Sequence, residues 1–479
     1  MVKKISSLVL AFVSLVASGQ EMQLEALLSD SAMAHSSVSL CIIDALNGET
    51  VLEYNPEKSL MPASIQKLVT SAIALELLGP DHKFKTEIGY TGNPDLSTGR
   101  LQGDIIIKGG GDPALGSDYF KFHYRDFLKK WVTAIRDLGI KAVDGAVIAD
   151  DSYFDYQPVP AKWLWEDSGN YYGTGVYGVS VFDNTYRIHF RTTSGCTLPV
   201  ITGIDPDECR YDLTNLLVAS GSTDKGYVFA APYSTYGWIA GSIPVNREDF
   251  ILKAAITDPP LLLAEIFERM LDSAGIDISG NPSTVRLKKE SIVKELTVVS
   301  ETVSPPLSEI IEALNHESVN LIAETLVKEI GKVFKGNGTA AAGIEVISQF
   351  LVDSCKINNG MFIEDGSGLS PLNAINSRGM AELLFFMKNK GKHFNEFYMS
   401  LPEAGKEGTL RNNFRDPLFD FNLRAKSGSM TRVRSYAGFF RVLSGKELIF
   451  CIVINNYQGT SQKIITGIES ILKESILSK

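Results

Sequence analysis

The sequence predicts an α+β protein: an antiparallel sheet flanked by helices, with a large inserted region of mixed α/β and β-rich character. Three observations predict it. Strand-like runs sit at both ends of the chain, "SVSLCIIDALNGETVLEYN" at 37–55 and "FNLRAKSG", "VRSYAGFFRVL" and "KELIFCIVINNY" between 421 and 457. Two strands near the start and three near the end fit one five-stranded antiparallel sheet. Helical periodicity dominates 305–395, and the middle, 93–295, has a different texture. A chain of 479 residues exceeds one ordinary core, so more than one domain is expected.

The chain opens on "MVKKISSLVLAFVSLVASGQ". Lys3 and Lys4 precede a short apolar run from Leu8 to Val16, and Ala17 and Gly19 suit a cut before Gln20. Residues 1–19 therefore read as a secretory signal peptide, too short to stay as a membrane span. No later run approaches a membrane helix, so the expectation is a periplasmic or otherwise secreted protein, soluble or membrane-peripheral. "MQLEALLSDSAM" has helical spacing. Asn47-Gly48 marks a hairpin turn between the first two strands. A helix is expected from about Pro62 to Leu78, stopped by Gly79-Pro80.

The inserted region begins strand–helix–strand over 101–155, in "GDIIIKGGGDP", "YRDFLKKWVTAIRDLGI" and "AVDGAVIADDSYF", and is β- and turn-rich over 156–295. The main domain is then 20–92 plus 296–479. Ser444-Gly445 joins the last two strands. "KIITGIESILKESIL" is an amphipathic helix whose mixed Glu and Lys face suits packing on the sheet better than a membrane surface.

Composition excludes some functions. A net charge of −10 makes the chain a poor partner for nucleic acid. There is no paired C-x-x-C and no H-E-x-x-H, and the six His are scattered, so no metal site and no cofactor are expected. Cys41 and Cys451 lie in β-like apolar runs and read as buried small hydrophobes. Cys196 and Cys209 share a loop-rich stretch, where a disulfide stays open. Cys355 has no evident partner.

Ser64 and Lys67 form an S-x-x-K pair in "SLMPASIQKLVTSAIALELLGP". Ser222/Lys225 and Ser291/Lys294 match the same pattern, but only Ser64/Lys67 opens a long helix. There the amine reaches the hydroxyl from one turn on, and the helix N-terminus favours developing negative charge. A buried Lys sheds its proton near neutral pH and becomes a base. Two further triplets follow, Ser318-Val319-Asn320 beside a helical run and Lys426-Ser427-Gly428 on an expected edge strand. S-x-x-K, S-x-N and K-[ST]-G in this order are the motif set of penicillin-reactive serine enzymes.

With "GGGDP" at 109–113, "ADDSYFD" at 149–155, "WLWED" at 163–167 and "EDGSGLS" at 364–370, the chain resembles the low-molecular-mass class C penicillin-binding proteins. These are the D-Ala-D-Ala carboxypeptidase/endopeptidase family, and the likeness covers nearly the whole mature chain. It implies a transpeptidase-like domain carrying the insertion, peptidoglycan stem peptides as substrate, and inhibition by β-lactams. It implies Ser64 as nucleophile, Lys67 as base, Ser318 as proton relay, and Asn320 as holder of Lys67 and of a substrate amide. Lys426 and Ser427 would receive the terminal carboxylate beside Gly428. The N–H groups of Ser64 and Ser429 would form the oxyanion hole. Ser367 would border the cleft in its loop. Asp150 aligns with a family acid that recognises the third stem residue, though a turn acid is an equal reading. Trp163 and Trp165 line that wall or fill the inserted core. His316 reads as a helix-surface residue. Pro371 stands where the family commonly has Arg, which leaves the third stem residue open. A β-lactamase and a catalytically silent wall-binding scaffold are the rival readings.

Overall fold

The structure, a computed structural model, describes residues 19–194, 197–289 and 296–478. Residues 1–18 of the expected signal peptide lie outside the described residues, as does Cys196. Its prospective partner Cys209 is a buried thiol.

Helix α1 (Gly19–Leu28) leads into β1 (Ser37–Asp44) and β2 (Thr50–Tyr54). Their connection turns at Gly48, whose φ of +77° carries no Cβ penalty only in glycine. Asp44 closes the turn by accepting from the N–H groups of Leu46 and Asn47 at 2.7 and 3.4 Å. The far end of the chain supplies β3 (Leu423–Met430), β4 (Val433–Arg441) and β5 (Glu447–Asn455). All five strands form one antiparallel sheet in the order β2-β1-β5-β4-β3. The two ends of the chain thus interleave, with β5 between β1 and β4.

Alternation along the strands gives the sheet two apolar faces. Ile43, Phe439, Ile449 and Val453 pack on a helical layer that includes α2 (Gln66–Leu78), α3 (Leu307–Glu317) and α4 (Asn320–Lys335). Leu40, Ile42, Ile452 and Ile454 pack on α5 (Ser461–Leu477), which presents Ile464, Ile468, Ile471, Leu472 and Ile476. The apolar stripe of the C-terminal helix is therefore spent on the sheet, as its charge pattern suggests. Leu24 and Leu27 of α1 join the same core. Cys41 and Cys451 face each other across β1 and β5, both fully buried.

Within the insertion, strands Ile105–Lys108 and Val147–Asp150 run parallel, joined through the helix Phe127–Asp137. A parallel pair needs such a crossover. Strands Lys85–Tyr90 and Thr297–Val303 pair antiparallel with each other, and the first also pairs with Ile105–Lys108. Both flanks of the insertion are thereby drawn into one five-stranded sheet. Further on, Val200–Asp205, Thr185–Thr192 and Arg247–Ala255 form one three-stranded sheet. Asp212–Ala219, Tyr236–Ile243 and Lys225–Ala230 form another. The two share a core containing Ile188, Phe190, Leu217, Val228 and Ile239. Among the described residues, no helix is long and apolar enough to cross a membrane.

Candidate active site

The sequence pattern predicts helix from Pro62, but α2 starts only at Gln66, after a 3-10 turn over Ala63–Ile65. Ala63 holds φ at +48°, which regular α-helix excludes. A non-glycine residue there costs roughly 1 kcal/mol. The turn is held from outside. Asn455 of β5 accepts from Met61 N–H at 2.9 Å and donates to Met61 O at 3.1 Å. Ser435 of β4 donates to Pro62 O at 2.5 Å. Ser64 is thereby presented half-exposed at the head of a buried helix.

Lys67 follows one turn later and is fully buried. Its Nζ lies 3.0 Å from Ser64 Oγ, 2.6 Å from Asn320 Oδ1 and 2.8 Å from Ser367 O. Desolvation pulls its pKa down to about 7, against the opposing pull of Asp365 and Glu324. A neutral amine has two N–H donors and one lone pair. The two carbonyl oxygens accept the donors, which leaves the lone pair to the Ser64 hydroxyl. That is the arrangement a general base requires.

Ser318 sits in the joint between α3 and α4, in left-handed geometry with φ +60°. Asn320 opens α4, and its Nδ2 donates to the carbonyl of Tyr172 at 2.8 Å. Val319 turns into a small cluster with Phe154, Val176 and Leu321, so the middle residue of the triplet serves the contact with the insertion. Lys426, fully buried on β3, donates to Ser318 Oγ at 3.0 Å and to Ser427 O at 3.0 Å. Desolvation, then the nearby Lys67, hold Lys426 well below the usual lysine range. The Ser427 hydroxyl donates to Thr409 Oγ1 at 2.7 Å. Gly428 lies against the nucleophile turn, where a Cβ would stand 2.6 Å from Pro62 O and 3.0 Å from Ser64 N. Ser429 is exposed at the next position. Ser64, Lys67 and Asn320 thus form one hydrogen-bonded group and Ser318 and Lys426 another, with Lys67 near enough to Lys426 to disfavour its charge.

The loop 364–370 forms the floor beneath Lys67. Gly368, with φ +83°, lets the loop approach Ala63 O, where a Cβ would come within 2.0 Å. Glu324, one turn along α4 from Asn320, accepts from the N–H groups of Gly366 and Ser367 at 3.1 and 2.8 Å. Burial, then the neighbouring Asp365 carboxylate, push Glu324 upward in pKa. Asp365 accepts from Gly368 N–H at 2.7 Å, from Asn373 Nδ2 at 2.8 Å and from Trp163 Nε1 at 2.8 Å. Phenylalanine at Trp163 removes one donor from this buried carboxylate. Trp163→Phe is expected to lower unfolding free energy by about 1.5–3 kcal/mol, read from urea denaturation.

Two residues expected at the substrate are placed differently. Ser367 is fully buried, its hydroxyl accepts from Leu369 N–H at 3.3 Å, and it serves Lys67 through its backbone carbonyl. Asp150 is 7% exposed and accepts from the N–H and hydroxyl of Ser152 at 3.1 and 2.6 Å, which closes a turn. Three participants escaped the sequence reading: Tyr172, Thr409 and Glu324. Tyr172 acts through its backbone, and Thr409 sits in an unremarkable "EGTL". Only Glu324 had a signal, because its i+4 spacing from Asn320 puts both on one helix face. His316 is half-buried, with Nε2 3.9 Å from Glu407.

Comparison with known proteins gives the family and the fold. A D-alanyl-D-alanine carboxypeptidase of Actinomadura sp. (strain R39) is 29% identical over 450 residues, covering 91% of this chain and 81% of that one. The D-alanyl-D-alanine carboxypeptidase DacB of Haemophilus influenzae is 24% identical over 431 residues, covering 88% and 86%. The crystal structure of penicillin binding protein 4 (dacB) from Haemophilus influenzae superposes with a TM-score of 0.80 at 19% identity, covering 95% of this chain and 99% of that one. The family model for the D-Ala-D-Ala carboxypeptidase 3 (S13) family matches residues 20–474, and the chain belongs to that family.

Proposed function

We propose that this chain is a serine D-Ala-D-Ala carboxypeptidase/endopeptidase that works on peptidoglycan stem peptides through an acyl-enzyme on Ser64. One observation carries the reading: a fully buried Lys67 amine, with pKa near 7, lies 3.0 Å from the Ser64 hydroxyl.

Ser64 Oγ attacks the carbonyl of the penultimate D-Ala while Lys67 takes its proton. The oxyanion is received by the N–H groups of Ser64 and Ser429; such a donor is typically worth ~3 kcal/mol. The close approach of Gly428 to Ser64 N supports this pairing of β3 with the nucleophile turn. The proton then travels to the leaving nitrogen through Ser318, backed by Lys426. The C–N bond breaks and D-Ala departs. Water adds to the ester, its proton returns to the amine network, and Ser64 is released. The terminal carboxylate is received at Ser427 and Thr409. Burial disfavours the charge on Lys426, and an incoming carboxylate restores it by opposite charge. β-Lactams would acylate the same serine.

We further read the protein as exported, with residues 1–19 as its signal. The sequence pattern puts the main domain at 20–92 plus 296–479, and the pairing of Lys85–Tyr90 with Thr297–Val303 in the insertion's sheet supports moving both junctions outward, ahead of Lys85 and past Val303.

The test is labelling with a fluorescent penicillin, together with mass analysis of muropeptides after digestion. Wild type should retain a stable label and release D-Ala, and Ser64→Ala should do neither. Rapid loss of the label would favour a β-lactamase. A wild type that takes no label would favour a silent scaffold.

A further inference from the structure

The three-stranded sheet of Asp212–Ala219, Tyr236–Ile243 and Lys225–Ala230 buries Leu217, Val228 and Ile239 on one face. Its other face, which a surface sheet ordinarily keeps polar, carries Leu216, Val218, Tyr227, Phe229 and Trp238. Trp165 lies against it from the preceding segment. Phe229 and Trp238 are cross-strand partners whose rings stack with centroids 5.3 Å apart and planes 9° from parallel. Trp165 meets Trp238 at 6.2 Å, and Tyr227 meets Phe229 at 6.5 Å. Leu216, Tyr227 and Trp165 are 57%, 42% and 53% exposed. An aromatic face of this extent left in water marks a binding surface.

One short segment ties this face to the catalytic network. Trp163 bonds Asp365 beneath Lys67, and Trp165, two residues on, joins the aromatic row. The Ser168 hydroxyl donates to Ala230 O at 2.9 Å, and Asn170 Oδ1 accepts from Val228 N–H at 3.0 Å. Tyr172 then gives its carbonyl to Asn320. Residues 163–172 thus bond to the catalytic residues at both ends and to the aromatic sheet between them.

We infer that this face is a platform for the glycan strand of peptidoglycan, on which pyranose rings stack by their C–H faces. The inference rests on the proposed function. The stem peptide is cut at its C-terminal end and joined to sugar at its N-terminal end. Four or five extended residues span roughly 15 Å, so the sugar must lie on the protein surface just beyond the cleft. Sugar rings present patches of C–H that match flat aromatic side chains, and their hydroxyls remain in water.

The experiment compares wild type with a Trp165→Ala/Tyr227→Ala double variant on two substrates: the free stem peptide, and the same peptide on its disaccharide. Fluorescent-penicillin acylation and thermal melting serve as controls. Neither residue belongs to the catalytic network, so acylation, melting and free-peptide turnover should be unchanged. KM for the glycan-linked substrate should rise fivefold or more, and co-sedimentation with peptide-free glycan chains should be lost. Equal kinetics on both substrates in wild type and variant would overturn the platform. So would a monomer–dimer shift in sedimentation produced by the double variant, which would make the face a contact between copies. If wild type takes no penicillin and cuts no free peptide, it is the proposed function that has failed, whatever the glycan does.

Discussion

Replacing Lys67 by arginine is expected to slow acylation of Ser64 by roughly 10²–10⁴-fold. Arginine keeps the length and the donors but does not lose its proton in water or in proteins. If Lys67 acted only as a fixed cation, arginine would substitute for it. Because burial brings the Lys67 amine to a pKa of about 7, the wild-type acylation rate should climb as pH rises through that value and then level off. The Lys67→Arg profile should show no such limb. Penicillin acylation rates measured across neutral pH read both effects, and a Lys67→Arg enzyme within tenfold of wild type would remove lysine as the base. The same burial has a stability signature. The folded pKa lies below the unfolded 10.5, so between about 7 and 10.5 the unfolded chain binds the proton more readily. Unfolding free energy should therefore rise with pH through that window. The full cost is present below it, on the order of 5 kcal/mol. A Lys67→Met variant should lack this slope in denaturation curves taken along the pH series.

The second large effect is expected from Gly428→Ala. One methyl group at this position would meet Ser435 Oγ at 2.2 Å, Pro62 O at 2.6 Å and Ser64 N at 3.0 Å. Two of these are backbone atoms of the nucleophile turn and cannot swing away. The edge strand β3 must back off, and with it go Lys426 on one side and Ser429 on the other. Overpacking of this kind costs about 1–3 kcal/mol of stability. Loss of one oxyanion donor alone is worth roughly 10²–10³-fold in rate. Acylation should fall by at least that amount while the melting temperature drops by only a few degrees. Unchanged acylation would mean that β3 does not help position the nucleophile.

The parts of this protein that were legible in its sequence are those decided locally. Asn47-Gly48 announces a hairpin because few residues accept its turn, and the β-branched runs at both ends announce strands. Ser64 and Lys67 stand out because their spacing is a property of one helix. The Ser318 and Lys426 triplets stand out because their order repeats a known motif set. What stayed hidden depends on backbone or on long-range packing. A carbonyl such as Tyr172 O has no side-chain signature, so nothing in the letters marks it as the partner of Asn320. The delayed start of α2 follows from the strained Ala63, which outside contacts at Pro62 and Met61 impose. Ser367 reads as a cleft residue because "EDGSGLS" resembles a family motif. Gly368 instead lets the loop pack closely under the nucleophile turn and Gly366 lets it pack on α4, and between them the Ser367 hydroxyl is sealed from solvent.

The interleaving of the main sheet sets an order on how this protein comes into being. Its middle strand is made after the other four. Leu448 must meet Asp44 across roughly 400 residues of intervening chain, a very long loop to close before the contact repays it. The opening hairpin has no central neighbour until Glu447–Asn455 has been made, so the molecule cannot acquire its catalytic half from the front end first. A ribosome stalled before Glu447 should hold a chain whose insertion is protected from protease while segment 37–54 remains open to it.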